Sequence, residues 1–242
     1  MRALIADKLP ESARHALIEG GFEVTFDPTL EGESLLAAIA DVDPDVLLVR
    51  STKVMSAHMA AGKALQLIVR AGAGVNTIDL DAASSNAVFV ANCPGMNAVA
   101  VAELTWGHIL NVDRRIADNV ADLRAGHWRK KTYAKARGLK GRVLSVIGCG
   151  AIGRAVIERG LAFGMRVVAW DPALDADGAR TLGVELAADI YELARSADVL
   201  TIHVPLNDAT RGMANAALFA ALRPGATFIN TARGMLVDHE AM

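Results

Sequence analysis

Cysteine is scarce in this chain. Cys93 and Cys149 are its 2 cysteines, too few for a disulfide framework or a cysteine-based metal cluster. No apolar run approaches the roughly 20 residues of a membrane span. The first residues, MRALIADKLP, read as a short strand and a turn, without the apolar core of a signal peptide. A formal net charge of −2 gives no reason to expect nucleic acid or membrane as the main partner. Aromatic residues make up only 5%, which suits small-residue helices packed on parallel sheets. A soluble cytoplasmic protein is expected, with no resident metal. At 242 residues the chain can hold one large or two modest α/β domains.

The most informative stretch runs from Val143 to Asp171, VLSVIGCGAIGRAVIERGLAFGMRVVAWD. A buried-strand pattern, Val143 to Ile147, leads into Gly148, Gly150 and Gly153 at the spacing G-x-G-x-x-G. A helical pattern and a second apolar run follow, ending in Asp171. This order suits a dinucleotide. Gly148 permits a tight turn, Gly150 lets backbone approach a pyrophosphate, and Gly153 lets the helix lie close on the strand. The helix N-terminus supplies free N–H groups and partial positive charge. Asp171 can accept hydrogen bonds from both ribose hydroxyls and repels a 2′-phosphate, so NAD is expected over NADP. The competing reading is an ordinary βαβ unit with a glycine turn. Cys149 between the first two glycines reads as packing.

Residues 1–97 alternate short apolar runs with helical patterns, the rhythm of a parallel sheet in a small flavodoxin-like domain. Two loops follow predicted strands: Arg50-Ser51-Thr52-Lys53, and Arg70-Ala71-Gly72-Ala73-Gly74-Val75-Asn76. Alternating glycines can turn consecutive N–H groups toward an anion. An anion site flanked by Arg50, Lys53 and Arg70 is one reading; two surface turns with solvated charges is the other. A long helix is expected from Asn97 to about Ala125, with the domain boundary at its start. Arg129 to Arg142 carries seven basic residues and no acidic one, a run that ordinarily lies in solvent. Beyond Asp171 the α/β rhythm resumes, with strands before His203-Val204-Pro205 and before Thr231-Ala232-Arg233-Gly234. Leu236 to Met242 reads as the start of a helix.

These residues together resemble the D-isomer-specific 2-hydroxyacid dehydrogenases. The matching stretches are VRSTKV (49–54), VRAGAGVNTIDLDAA (69–83), NCPGMNAVAVAELTWG (92–107) and WRKK (128–131). They continue with the glycine stretch, DVLTIHVPLNDATRG (198–212) and INTARGMLVD (229–238). The resemblance covers nearly the whole chain in order. It implies a flavodoxin-like substrate domain over residues 1–97 and a Rossmann NAD-binding domain over 98–242, both with parallel sheets. It also implies oxidation of a D-2-hydroxy acid, or reduction of the 2-oxo acid, with NAD as cofactor. Position by position, it makes Arg233 the catalytic arginine. Gly148, Gly150, Ala151, Ile152, Gly153 and Asp171 become cofactor contacts, as do His203, Val204, Pro205, Thr231 and Ala232. Arg50, Lys53, Arg70, Gly72, Ala73, Gly74 and Val75 fall on the substrate side, where the two cations of the first loop suit a phosphorylated acid. A homodimer or homotetramer is implied, with Trp128 and Lys131 reaching into a neighbouring subunit.

Three departures stand out. The R-S-T-K loop is one residue shorter than the family's commoner form, which shifts where Lys53 points. Asn76 occupies a position where aspartate is usual. In the family a proton-transfer histidine and its orienting glutamate follow the arginine, and the sequence stops at Met242 before either. An incomplete Rossmann domain, inactive or nearly so by itself, is therefore expected. A different hydroxy acid, or a catalytically silent NAD-binding protein, are the competing readings.

Overall fold

The computed structural model describes residues 1–242, which divide into two compact units, Met1–Asn97 and Ala98–Met242. In the first, β1 (Arg2–Ile5), α1 (Glu11–Glu19), β2 (Glu23–Phe26), α2 (Gly32–Val42) and β3 (Val46–Val49) follow one another. They are succeeded by α3 (Ser56–Ala61), β4 (Leu67–Arg70), α4 (Leu80–Ser85) and β5 (Phe89–Asn92). All strands are parallel, in the order β2-β1-β3-β4-β5, which is the flavodoxin-like arrangement. Its core includes Leu4, Leu35, Ile39, Leu47 and Ile68, all shielded from solvent.

The second unit opens with helices α5 (Ala98–Arg114), α6 (Ile116–Arg124) and α7 (Lys130–Tyr133). Then come β6 (Val143–Ile147), α8 (Ala151–Ala162), β7 (Arg166–Trp170), α9 (Ala176–Leu182) and β8 (Glu185–Leu186). The chain continues through α10 (Ile190–Ser196), β9 (Val199–Ile202), α11 (Ala216–Ala221) and β10 (Thr227–Asn230). The sheet is again parallel, ordered β10-β9-β6-β7-β8. That is the doubly wound Rossmann order, with β10 at one edge. β6 sits in the centre, and every residue from Val143 to Ile147 is buried. Leu144 and Val146 pack with Trp106, Val156 and Ile157 on one face, and Val143 and Ile147 with Leu193 and Leu218 on the other. This two-sided burial is why the strand is apolar apart from Ser145, whose buried hydroxyl donates to the Leu193 carbonyl at 3.1 Å.

Trp106 holds α5 against α8. Its ring stacks on Phe163 at 4.7 Å between centroids, and its indole N–H donates to the Val156 carbonyl at 3.2 Å. Several helices begin on an Asp or Asn whose side chain caps free N–H groups: Asp79, Asp175, Asp189 and Asn215. No helix is long and apolar enough to cross a membrane.

Three expectations change. The single helix from Asn97 to about Ala125 is two, because Arg115 adopts a left-handed conformation at φ 51°. The kink is held by Asn111 Oδ1, which accepts the Ala117 N–H at 2.8 Å, and by the Arg115–Asp118 ion pair at 2.9 Å. Residues beyond Leu236 form no helix. After a single 3₁₀ turn (Gly234–Leu236), Val237 bridges Ala214, and the backbone of Met235 to Asp238 pairs with that of Gly212 and Ala214. Finally, the basic run is not wholly solvated: the Arg142 side chain is only 12% exposed and pairs with Asp113 at 2.9 Å.

Candidate functional site

Where β6 ends, the chain turns at Gly148 with φ +95°; a Cβ there would stand 2.7 Å from the His203 carbonyl oxygen. At Gly153 a Cβ would lie 1.9 Å from the Gly148 carbonyl oxygen, so α8 and β6 approach only because that atom is missing. Gly150 differs. A Cβ there meets nothing within 4 Å, so its missing side chain leaves open space directly before α8. The helix has no side-chain cap. The Arg154 N–H begins the ladder on the Gly150 carbonyl at 2.9 Å, while the N–H groups of Ala151, Ile152 and Gly153 donate to no protein acceptor. Free donors, the positive end of the helix dipole and an open approach together fit a phosphate group.

Asp171 follows β7 beside this turn. One carboxylate oxygen accepts the Cys149 N–H at 2.8 Å, the other the Ala173 N–H at 2.8 Å. Each oxygen keeps a second lone pair for a ribose hydroxyl. Cys149 is buried, and burial, reinforced by the Asp171 charge, pushes its thiol up to about 11. It is a packing residue in chemistry as well as position.

Beyond β9, His203 is 8% exposed, and its Nε2 lies 3.0 Å from the Thr201 hydroxyl. Its Nδ1 is buried without a protein partner. Burial lowers the imidazole to about 4, so the ring is neutral, and what it presents to Gly148 is its backbone carbonyl. Val204 is buried and Pro205 exposed. Thr231, after β10, shares a 2.8 Å hydrogen bond with Thr105 of α5. Asn230 braces the next turn from both sides: its Oδ1 accepts the Ala232 N–H at 2.9 Å and its Nδ2 donates to the Arg233 carbonyl at 2.8 Å. Arg233 is exposed, donates from Nη1 to the Ala232 carbonyl at 2.8 Å, and lines an open cleft of about 500 Å³ with Thr231, Ala232 and His239.

In the first unit, Asp7 organises the Arg50–Lys53 loop. A single carboxylate oxygen accepts the N–H groups of Arg50, Ser51 and Thr52 at 2.7, 2.9 and 3.0 Å. Burial works to raise the Asp7 pKa, but these backbone donors outweigh it and hold the carboxyl below its ordinary value. The Arg50 and Lys53 side chains are exposed. Arg70 turns back into its own loop, where Nε donates to Thr77 Oγ1 at 3.2 Å and Nη1 to the Gly74 carbonyl. Cys93 N–H and Asn92 Nδ2 donate to the carbonyls of Gly72 and Ala73 at 3.0 and 2.7 Å. Three successive carbonyls are thus engaged internally, while the N–H groups of Ala73, Gly74 and Val75 donate to no protein acceptor. Such a loop offers an anion backbone donors, with the carbonyls between them turned to protein partners. Sequence did not single out Asp7, and it gave Asn230 no role beyond its place in the INTARGMLVD stretch. The signal for each is a single polar residue directly after, or at the end of, an apolar strand.

Residues 106–242 match the family model of the D-isomer specific 2-hydroxyacid dehydrogenase, NAD binding domain. The chain belongs to the D-isomer specific 2-hydroxyacid dehydrogenases. Its glycine turn therefore lies in that family's NAD-binding domain. Among similar proteins, a D-3-phosphoglycerate dehydrogenase of Methanocaldococcus jannaschii is 40% identical over 243 residues, covering 100% of this chain and 46% of the relative. A hydroxypyruvate reductase of Thermotoga maritima is also 40% identical, covering 100% of this chain and 77% of the relative. The chain thus spans about half the length of the phosphoglycerate dehydrogenases it matches. In structure it is similar to the TT0316 protein of Thermus thermophilus, with TM-score 0.88 and 33% identity over 100% of this chain and 76% of the other.

Proposed function

We propose that the chain binds NAD at the glycine turn and serves the interconversion of a D-2-hydroxy acid and its 2-oxo acid. The observation that carries this reading is the open position at Gly150, faced by the free N–H groups of Ala151, Ile152 and Gly153 and flanked by Asp171. Gly148 and Gly153 shape that turn, and His203, Val204, Pro205, Thr231 and Ala232 line the remainder of the cofactor site. Asp171 favours NAD because its charge repels a 2′-phosphate. When bound, NAD supplies the hydride acceptor or donor.

The chain's own residues bind and orient. Arg233 presents a planar fork to the substrate carboxylate and to the oxygen whose charge changes in the reaction. Asn230 fixes the backbone from which that fork projects. Within the first unit, Arg50, Lys53, Arg70 and the N–H groups of the Gly72–Val75 loop offer partners to an anion, which makes 3-phosphoglycerate the leading substrate and serine biosynthesis the setting. A second reading takes an unphosphorylated acid such as hydroxypyruvate. It is favoured by the Arg70 guanidinium, two of whose donors serve its own loop, and by the equally similar hydroxypyruvate reductase. Neither buried histidine is assigned proton transfer: His203 is neutral, and both ring nitrogens of His58 are engaged, with Met55 N–H and the Gly32 carbonyl. We expect these 242 residues to bind both ligands and turn over slowly or not at all.

The surface of α6 supports self-association. It buries none of its residues, and Ile116, Val120, Leu123 and the nearby Trp128, 78% exposed, form an apolar face for a second copy, with Lys131 alongside. To separate the two substrates, the NADH-saturated chain is titrated with the 2-oxo acids phosphohydroxypyruvate and hydroxypyruvate. The phosphate reading requires Arg50→Ala and Lys53→Ala to weaken only the former. Equal losses for both acids would sink it.

A further inference from the structure

Two of the three residues at the start of the cofactor turn are glycines, so nothing in their own side chains fixes how the peptides between them face. The structure supplies two external holds on Cys149. Its N–H donates to Asp171 Oδ2 at 2.8 Å, and its carbonyl accepts from Arg154 Nε at 2.9 Å. The first fixes the Gly148–Cys149 peptide and the second the Cys149–Gly150 peptide. The second matters more for an anion. A trans peptide sends its C=O and N–H to opposite sides. With the Cys149 oxygen held by Arg154, the Gly150 N–H faces the other way and donates to no protein acceptor. A flip would exchange that donor for a carbonyl oxygen, and glycine after the peptide makes a flip easy. Arg154 is well placed to prevent it. It sits in the first turn of α8 and is exposed, and its Nη groups have no protein partner.

We propose that Arg154 is a positioning residue for the cofactor turn, acting through the Cys149 carbonyl to keep the Gly150 N–H directed at the diphosphate of the dinucleotide. This rests on the NAD reading above. It also means that Asp171, beyond its place beside the ribose, and Arg154 form a pair of opposite charges clamping one residue from its two sides. The role belongs to the hydrogen bond from Nε, and the positive charge is secondary.

Side-chain geometry separates bond from charge. In Arg154→Gln the amide nitrogen falls at the position of Nε, keeping a donor without charge. Arg154→Met fills the same length without a donor. Arg154→Lys keeps the charge with its nitrogen one atom further out. In the ligand-free protein, the Cys149 carbonyl ¹³C and Gly150 amide ¹⁵N shifts should move in Arg154→Met and return in Arg154→Gln. NADH titrations should show Arg154→Met and Arg154→Lys weakened about tenfold, the scale of one hydrogen bond with a charged donor, and Arg154→Gln within about threefold of the parent. Melting temperatures should agree across the series. If Arg154→Lys binds like the parent while Arg154→Gln binds like Arg154→Met, the charge acts directly and the positioning role is refuted. Shifts unchanged in Arg154→Met would refute it as well. If the parent fails to bind NADH while the shifts respond as expected, the cofactor reading fails and the peptide lock stands.

Discussion

The buried His203 imidazole gives this protein a stability that depends on pH, with a sign and a size that can be worked out. Burial lowers its pKa from 6.5 to about 4 in the folded chain. The unfolded chain therefore binds the proton more tightly between these values, and folding stability rises with pH across them. The contribution is full above about pH 6.5 and is lost as the pH falls toward 4. The gap corresponds to about 3 kcal/mol, a substantial share of the 5–15 kcal/mol typical of a whole domain. Urea unfolding at a series of pH values between 7.5 and 4 reads this directly. Asp7, whose pKa is also depressed, loses its contribution only at lower pH, as the carboxyl titrates. The difference between the parent and His203→Asn isolates the imidazole. The variant should be less pH-sensitive by about 3 kcal/mol over that window. Parallel curves would refute the claim that His203 is buried neutral, and with it the reason for setting it aside as a proton donor.

Two further perturbations test the framework. Gly153→Ala places a carbon where the Gly148 carbonyl already stands, so it should cost about 3 kcal/mol or more in unfolding free energy and remove NADH binding; a stable variant with normal affinity would contradict the close helix–strand approach. Asp7→Ala leaves three N–H groups without their acceptor. It should destabilise by about 2 kcal/mol and weaken binding of a phosphorylated acid without changing the NADH affinity, both readable by calorimetry.

Much of the fold was legible because strand and motif coincide. Val46–Val49 is a continuous apolar run and Val143–Ile147 is apolar apart from Ser145, and both are strands over those same residues. Gly148, Gly150 and Gly153 carry their structural reasons in their spacing. Elements that bury little were missed. Glu185 and Leu186 of β8 are both exposed at the sheet edge, and α4 and α9 are short helices recognisable mainly by their caps, Asp79 and Asp175. The kink at Arg115 was hidden because a left-handed arginine has no sequence signature, unlike glycine. Leu236 and Val237 look like the start of an apolar helix face, but their burial is satisfied by an extended segment beside Ala214. In the candidate site, the cofactor turn could be read from sequence because its chemistry lies in glycine backbone. The supports could not. Asp7, Asn230 and Arg154 act on backbone N–H and C=O groups, and a lone polar residue at a strand end, the signal at Asp7 and Asn230, does not say which of those groups it holds.

The most direct test of the central claim is calorimetric titration of the parent and of Gly150→Val with NADH and NADPH. A valine Cβ at position 150 meets no protein atom within 4 Å, so the variant should fold and melt like the parent while its side chain fills the phosphate position. The parent is expected to bind NADH more tightly than NADPH, and Gly150→Val to bind neither. NADH binding that survives in Gly150→Val would place the cofactor elsewhere, and equal affinity for NADPH would remove the role given to Asp171.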